Sequence, residues 1–202
     1  TIDNLIYYYK SSGNQIDYVR DLSNNSAGFY EETAGASGVY SYDENGNLDD
    51  DENKMFSIAY NYLNLPRKLV STGITEDYIS YIYDANGNKW LKEYYSEDDD
   101  QTYFTMYAGQ FVYDYNNGYK LDYLLHSEGK IEMTGETLNS YEYHIRDHLG
   151  NTRVAFIAES STGAQQTDYY PFGMSFIGMQ GGDNKYLYNG KELQDEQFDG
   201  VS

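Results

Sequence analysis

Apolar and polar residues alternate with a period of two along most of this chain, and a helical period is nearly absent. The alternation is clearest where tyrosines stand two residues apart, as at Tyr40-Ser41-Tyr42 and Tyr81-Ile82-Tyr83. Because successive side chains of a strand point to opposite faces, both rings of such a pair lie on one face. The pattern predicts short strands over residues 5–10, 15–20, 39–42, 56–62, 68–71, 77–83, 89–95, 102–107, 110–115, 120–126, 130–134, 141–145, 152–158 and 166–170.

Turn dipeptides separate many of these strands. Asn-Gly occurs at residues 45–46, 86–87, 117–118 and 189–190. Both central residues of a type I′ turn need positive φ, which Asn and Gly tolerate best, so each dipeptide predicts a two-residue hairpin tip. Loops are predicted over residues 23–37, 49–53, 96–101 and 160–164. The predicted fold is all-β, an antiparallel β-meander or ribbon that forms a curved open sheet.

Composition narrows the range of partners. The chain has 202 residues, 26 of them tyrosine, and a formal net charge of -20. Such a field repels phosphate backbones, so we expect no nucleic-acid partner. The absence of cysteine excludes disulfides and thiolate metal sites. No apolar run reaches the roughly eighteen residues typical of a transmembrane helix, so we expect no membrane span.

Several segments resemble a known bacterial family. Residues 83–89, YDANGNK, resemble the YD repeat, a Tyr-Asp-x-x-Gly-Asn pattern that recurs about every twenty residues. Residues 143–153 (YHIRDHLGNTR), 169–173 (YYPFG) and 186–193 (YLYNGKEL) resemble, in that order, the RHS repeat-associated core domain in its Bacteroides-type form. The resemblance to RHS/YD-repeat proteins covers the chain from about residue 5 to residue 196.

This resemblance implies a long β-ribbon that spirals into a hollow shell, which in toxin-bearing members encloses a C-terminal effector. Residues 1–100 would be YD-repeat hairpins, and residues 101–202 a core segment continuous with them in one β structure. The chain would be a non-catalytic piece of a secreted or cell-surface protein, without a cofactor, and its partner would be the rest of the same polypeptide, including a C-terminal module. It lacks the family's Asp-Pro-rich self-cleavage segment and a toxin module, so cleavage and toxicity are not carried over.

The motif residues have an architectural interpretation. Asn and Gly supply positive φ, and an Asp before a turn accepts backbone N–H bonds. The residues to which we assign this structural role are Tyr81, Tyr83, Asp84, Asn86, Gly87, Asp147, His148, Gly150, Asn151, Arg153, Pro171, Phe172, Gly173, Asn189 and Gly190. Asp147 and His148, with His144 nearby, also invite an acid–base interpretation, but the segment is predicted to be a strand that leads into a turn.

Two acidic runs are candidates for a weak calcium site. They are Asp49-Asp50-Asp51-Glu52 and Glu97-Asp98-Asp99-Asp100, which we predict as solvated loop tips. Extracellular modules that bind Ca²⁺ through such groups have dissociation constants of about 10⁻⁴–10⁻³ M. Solvated loop tips without an ion are the favoured interpretation of both runs.

The tyrosine ladders also allow two functions. Cross-strand aromatic pairs each stabilise a sheet by roughly 0.2–1 kcal/mol, which explains their number without a ligand. An exposed row of rings could instead stack against sugars, so the alternative function is a cell-surface module that binds a glycan or a protein. We predict Trp90 to be a core residue. Unpaired strands at the ends of the chain could cause self-association.

Overall fold

A computed structural model describes residues 2–11, 13–23, 25, 28–29, 39–116, 118–158, 160, 164–170, 173–175 and 182–194. The described residues form fifteen β-strands and one short 3₁₀ turn at Tyr188–Gly190. None of the helical structure in these ranges is long and apolar enough to cross a membrane. Every strand pair is antiparallel and joins neighbours in sequence, which confirms the predicted all-β meander and open sheet.

The chain divides into two compact units, whose described parts fall within residues 1–103 and 104–196. In the first unit, β1 (Leu5–Tyr9) and β2 (Ile16–Asp21) form a two-stranded sheet. The following strands pair in sequence order: β3 (Tyr40–Tyr42), β4 (Leu48–Asp51), β5 (Phe56–Tyr60), β6 (Pro66–Ser71), β7 (Tyr78–Tyr83) and β8 (Lys89–Ser96). Ile79 and Tyr81 of β7 are among the buried apolar side chains of this unit.

In the second unit, too, the strands pair in sequence order. Its strands are β9 (Gln101–Ala108, which begins in the first unit), β10 (Phe111–Asp114), β11 (Lys120–His126), β12 (Gly129–Thr134), β13 (Thr137–Arg146), β14 (Thr152–Ile157) and β15 (Gln165–Gln166). Val112 of β10 and Ala155 of β14 are buried, together with Leu187 from the segment 182–194. That segment contributes one isolated bridge, between Tyr186 and Glu192, and the 3₁₀ turn.

The prediction of two-residue tips at the first two Asn-Gly sites was wrong. At Asn45-Gly46, the Gly46 amide donates to the Asp43 carbonyl at 3.0 Å, and the Asp43 amide donates to the Asn47 carbonyl at 2.9 Å. Gly46 has a φ of 85°, whereas Asn45 is not among the residues with positive φ. Gly87 repeats this geometry, with a φ of 84°. Each turn is therefore one residue longer than a type I′ tip, and the strand register shifts beside it.

At Asn189-Gly190, by contrast, both residues have positive φ, 53° and 63°. At the remaining site Asn117 lies outside the described residues, and Gly118 has a φ of 84°. Positive φ at the glycine is thus common to all four sites, and positive φ at the asparagine is seen at Asn189.

Two further local predictions were wrong. Residues 49–53 were predicted as a loop, but Leu48–Asp51 is strand β4, and Asp51 is only 6% exposed. Propensity disfavours three successive aspartates in a strand, so pairing with β3 and β5 decides this conformation. Trp90 was predicted as core but is 54% exposed. Trp90 follows Lys89, which lies at the register shift beside the Gly87 turn. At such a shift the regular alternation of side chains between the two faces of the sheet is interrupted.

Candidate functional site

The Asp of the YD motif holds its turn together through both carboxylate oxygens. Asp84 Oδ1 accepts the backbone amides of Asn86 and Asn88, each at 2.8 Å. Oδ2 accepts the Asn88 side-chain amide at 2.8 Å. The Asp84 amide in turn donates to the Asn88 carbonyl at 2.9 Å. One side chain therefore satisfies backbone donors that a hairpin tip would otherwise leave to water.

The same arrangement recurs in both units. In each case the first residue of the turn accepts the amides of the second and fourth residues after it. The set is Asp43 with Asn45 and Asn47, Asn61 with Leu63 and Leu65, Asp84 with Asn86 and Asn88, and Asp147 with Leu149 and Asn151. The residue with positive φ in these turns is Gly46, Asn64, Gly87 and Gly150, respectively.

These bonds favour the ionised form of the turn carboxylates. The side-chain amide of Asn47 is the largest cause that lowers the pKa of Asp43, and that of Asn88 does the same for Asp84. At Asp147, burial raises the pKa, but the bonds from Asn151 and the backbone outweigh it and the net shift is downward.

The Tyr of the motif ties its strand to the preceding strand. The Tyr83 hydroxyl, at the end of β7, donates to the carbonyl of Pro66, the first residue of β6, at 2.8 Å. The Tyr60 hydroxyl, at the end of β5, donates to the carbonyl of Leu48 at the start of β4, at 2.7 Å. Burial raises the pKa of both phenols, so they remain donors at neutral pH. Tyr and Asp thus have separate roles in one unit: Tyr joins strands and Asp closes the turn.

The turn at Asp147 replaces the tyrosine with an arginine. Arg146 precedes Asp147, and its Nη1 donates at 2.6 Å to the carbonyl of Ser127, just before β12 begins. The donor differs, but its target is again a backbone carbonyl near the start of the preceding strand. His148 lies in this turn and is exposed.

The core motifs of the second unit meet around Asn151. This side chain is buried; its Nδ2 donates to Asp147 Oδ2 at 2.9 Å, and its Oδ1 accepts the Asn189 amide at 2.9 Å. The next amide, of Thr152, donates to the Leu187 carbonyl at 3.0 Å. The segments 143–153 and 186–193 are therefore joined directly.

The other residues of these core motifs that the structure describes also lie in the second unit. The guanidinium of Arg153 pairs with Asp168 and lies 5.6 Å from the centroid of the Tyr169 ring. Gly173 has a φ of 97°, and a Cβ there would come within 2.7 Å of the Tyr188 ring, so a larger residue does not fit without a shift. Pro171 and Phe172 lie outside the described residues.

Sequence reasoning missed a buried ionic cluster on β12 and β13. Lys130 is paired with Glu142 across the two strands, and both are buried. The Lys130 ammonium lies 2.9 Å from Glu132, 3.7 Å from Glu142 and 3.9 Å from Asp183. Burial lowers the pKa of Lys130, but these carboxylates outweigh it and raise the pKa overall. In the sequence, polar residues alternate with apolar ones at Lys130-Ile131-Glu132 and at Glu142-Tyr143-His144. This alternation could have indicated a polar face that points inward.

His144 extends this cluster. Its side chain is fully buried, and Nε2 lies 2.7 Å from Glu142 Oε1. Nδ1 lies 3.1 Å from the Nη2 of Arg146, which can only donate. This geometry fits a neutral imidazole that accepts at Nδ1 and donates from Nε2 to Glu142. Both ring nitrogens are thereby engaged by protein groups, and Asp147 uses both its oxygens in the turn.

Tyrosine hydroxyls bind the segment 182–194 to the sheet of the second unit. The Tyr107 hydroxyl contacts both carboxylate oxygens of Glu192, at 2.8 and 2.9 Å. The hydroxyls of Tyr123 and Tyr186 lie 3.1 Å apart. Burial is the main cause that raises the pKa of Tyr107 above its usual range and that of Tyr186 to about 12, so these phenols stay protonated at physiological pH.

The two acidic runs occupy different environments. Glu97, Asp98, Asp99 and Asp100 form an exposed turn between β8 and β9. The first run instead lies on β4: Asp49 accepts the Ser41 hydroxyl, and Asp51 accepts the Lys54 amide. Glu52 is exposed in the turn that follows β4.

A cation at β4 would have to lose water, because Asp51 is buried. Burial, followed by repulsion from Glu52, raises the pKa of Asp50, and burial raises that of Asp51. Within the described ranges, the acidic groups close enough to share an ion are Glu132, Glu142 and Asp183, which sequence analysis did not select. The Lys130 ammonium already contacts all three.

Comparisons with known proteins identify the fold. No family model matches the chain, and no curated protein sequence matches it significantly. Two crystal structures of TcdB2-TccC3, one a TEV form, match with TM-scores of 0.56 and 0.58 at 15% identity, over 75% and 76% of this chain. A Photorhabdus luminescens Tc holotoxin pore with a TccC3 mutation matches with a TM-score of 0.55 at 12% identity, over 95% of this chain.

This chain spans 8–11% of the length of those toxin chains. At such low identity the likeness shows that the fold is shared: the β-meander of this chain is similar to a part of these much longer toxin polypeptides.

Removing one motif hydroxyl tests the role of the tyrosine. Tyr83→Phe keeps the ring but deletes the bond to the Pro66 carbonyl, so we expect the free energy of unfolding to fall by about 0.5–1.5 kcal/mol. Tyr62→Phe is the matched control, since Tyr62 is 83% exposed. Urea denaturation of both variants measures the difference; equal stability of the two would contradict the assigned role.

Acid should remove the contribution of the turn carboxylates. Their folded pKa values lie below the ordinary value of 3.8, so their stabilisation is complete above that pH and is lost as pH falls through the lowered values. The variant carrying Asp43→Asn, Asp84→Asn and Asp147→Asn should be less stable than the parent at pH 6, and the gap should close near pH 2. Denaturant unfolding across this range, with Asp98→Asn as control, measures the gap. A gap independent of pH would refute the assignment.

Proposed function

We propose that this chain is a non-catalytic segment in the wall of a bacterial RHS/YD-repeat shell. The observation that carries the proposal is the recurrence of one hydrogen-bonded unit, in which a turn Asp or Asn closes the hairpin and a Tyr or Arg fastens it to the strand before. Such a unit adds strands one after another, with each strand contacting its sequence neighbours, which suits a wall that is extended by repetition.

Both the fold shared with solved structures and the sequence motifs of this chain support the proposal. The structures with a similar fold are named as toxin components, TcdB2-TccC3 and a Tc holotoxin pore. Three segments of this chain resemble motifs of the Bacteroides-type RHS core domain, and a hydrogen bond between Asn151 and Asn189 joins two of these segments. The proposed partner is the remainder of the same polypeptide, including a C-terminal module, in a protein that is secreted or displayed at the bacterial surface.

The chemistry of the candidate residues favours an architectural role over a catalytic one. Catalysis needs titratable groups that reach a substrate in a concave site. The His144 imidazole is fully buried between Glu142 and Arg146, and the Asp147 carboxylate is used by its turn. Each of these groups has a structural use that engagement with a substrate would disrupt.

A glycan- or protein-binding surface is the second candidate function, and one observation favours it. On β13, Tyr141, Tyr143 and Ile145 are exposed while the alternate residues Glu142 and His144 are buried. The Tyr143 ring stacks on Phe156 of the paired strand β14, with centroids 5.7 Å apart. The exposed face of this strand pair is therefore aromatic, and flat rings of this kind can stack against a sugar face.

The test is the structure of the complete polypeptide that contains this chain, determined by electron cryo-microscopy. We expect residues 40–157 to continue into further strands of one enclosing β wall. A detached domain outside any enclosure would contradict the proposal.

A glycan array probed with this chain and with its Tyr143→Ala variant separates the second candidate. A wall segment should give no binding that depends on Tyr143. Specific binding that Tyr143→Ala abolishes, while Tyr62→Ala leaves it intact, would favour the binding module instead.

A further inference from the structure

The second unit contains a cavity of about 330 Å³ between the sheet and the segment 182–194. Strands β11 and β12 contribute Asp122, Tyr123 and Glu132, and the covering segment contributes Asp183 and Tyr186. The volume lies at the lower end of the roughly 300–1,000 Å³ typical of small-molecule pockets. No residue of the Tyr–Asp turn unit lines this cavity.

The cavity lining contains more carboxylates than lysines, so its net charge is negative. The Lys130 ammonium is shared among Glu132, Glu142 and Asp183, so it cannot neutralise all three carboxylates. Asp122 adds a fourth carboxylate nearby; of the four, Asp122, Glu132 and Asp183 line the cavity, against the two cations Lys130 and Lys185. Burial is the main cause that raises the pKa of Asp122, and repulsion from Asp114, Glu132 and Asp183 adds to it despite the attraction of Lys130.

The cavity wall already holds one ammonium group, that of Lys130. The Lys130 side chain is nine-tenths buried, yet its surroundings favour the charged form. Its ammonium contacts carboxylates and lies 5.7 Å from the centroid of the Tyr123 ring. Carboxylates combined with an aromatic face are the usual environment of a bound alkylammonium ion. Asp183 lies 3.9 Å from the Lys130 ammonium but is 88% exposed, so most of its side chain is accessible to a second ammonium group.

We propose that this cavity binds a small aliphatic amine, whose ammonium group lies between Asp122 of the sheet and Asp183 of the covering segment. An alkyl chain of such a ligand would contact the rings of Tyr123 and Tyr186. A hard divalent ion fits less well, because Ca²⁺ takes about six to eight oxygens. The acidic oxygens nearest one another also already contact the Lys130 ammonium. By bridging two like charges, the amine would strengthen the attachment of the segment 182–194 to the sheet.

Isothermal titration of the whole chain with spermidine, at constant ionic strength set by NaCl, tests this proposal. We expect saturable binding of one equivalent, weakened at least tenfold by Asp122→Asn and by Asp183→Asn. Asp98→Asn removes the same charge from the exposed turn of the first unit and should leave the affinity unchanged. Circular dichroism of each variant checks that the fold is retained.

Four results would overturn the proposal. The first is binding that does not saturate, and the second is an equal loss in Asp98→Asn, because both indicate a general counter-ion atmosphere. The third is displacement of spermidine by equimolar CaCl₂ at the same stoichiometry, which indicates a metal site. Retained affinity in both Asp122→Asn and Asp183→Asn would place the amine elsewhere on the chain.

Discussion

The repeated unit of the structure depends on one interaction, the acceptance of turn amides by the side chain that opens the turn, as at Asp43, Asn61, Asp84 and Asp147. A hairpin tip exposes backbone donors that no strand partner can satisfy, and a carboxylate or amide two residues before them supplies the acceptor. At Asp84 this single side chain receives three bonds and fixes the position at which a glycine takes positive φ. The turn then sets the register of the strands on either side.

The residue just before the turn connects the hairpin to the preceding strand. Tyr83 and Tyr60 each carry a hydroxyl from the end of one strand to a carbonyl at the start of the strand before it. Arg146 makes the equivalent bond with a guanidinium, so the second unit keeps the plan while changing the chemistry. The two members of the Tyr-Asp dipeptide therefore have different roles at the same end of a hairpin. The Tyr hydroxyl donates to the preceding strand, and the Asp carboxylate accepts the turn amides.

One strand of the second unit inverts the usual distribution of polarity. This strand, β13, buries Glu142 and His144 and exposes Tyr141, Tyr143 and Ile145. Burial of ions costs desolvation energy, which is offset here because Lys130 and Arg146 lie against the buried acceptors. In β13 the polar side chains Glu142 and His144 therefore lie on the buried face, and the aromatic side chains lie on the exposed face.

Sequence analysis predicted the local features and missed those set by strand pairing. The alternation of apolar and polar residues located nearly all strands, because this period depends only on neighbouring residues. The Asn-Gly dipeptides located the turns for the same reason, because the preference for positive φ is a property of the residue itself. Sequence analysis failed at β4, where pairing on both sides forces Asp49, Asp50 and Asp51 into a strand. It also failed at Trp90, beside a register shift that no dipeptide announces. The cluster around Lys130 escaped notice because its members come from separate strands and the segment 182–194.

The most direct measurement of the central claim is amide hydrogen exchange, resolved residue by residue by NMR. If the turn carboxylate is the acceptor, the amides of Asn86 and Asn88, and of Asn45 and Asn47, should be protected from exchange as strongly as the paired amides of β7. In Asp84→Ala, protection at Asn86 and Asn88 should vanish while Asn45 and Asn47 keep theirs. Exchange of these turn amides at the rate of an open loop in the unsubstituted protein would contradict the account.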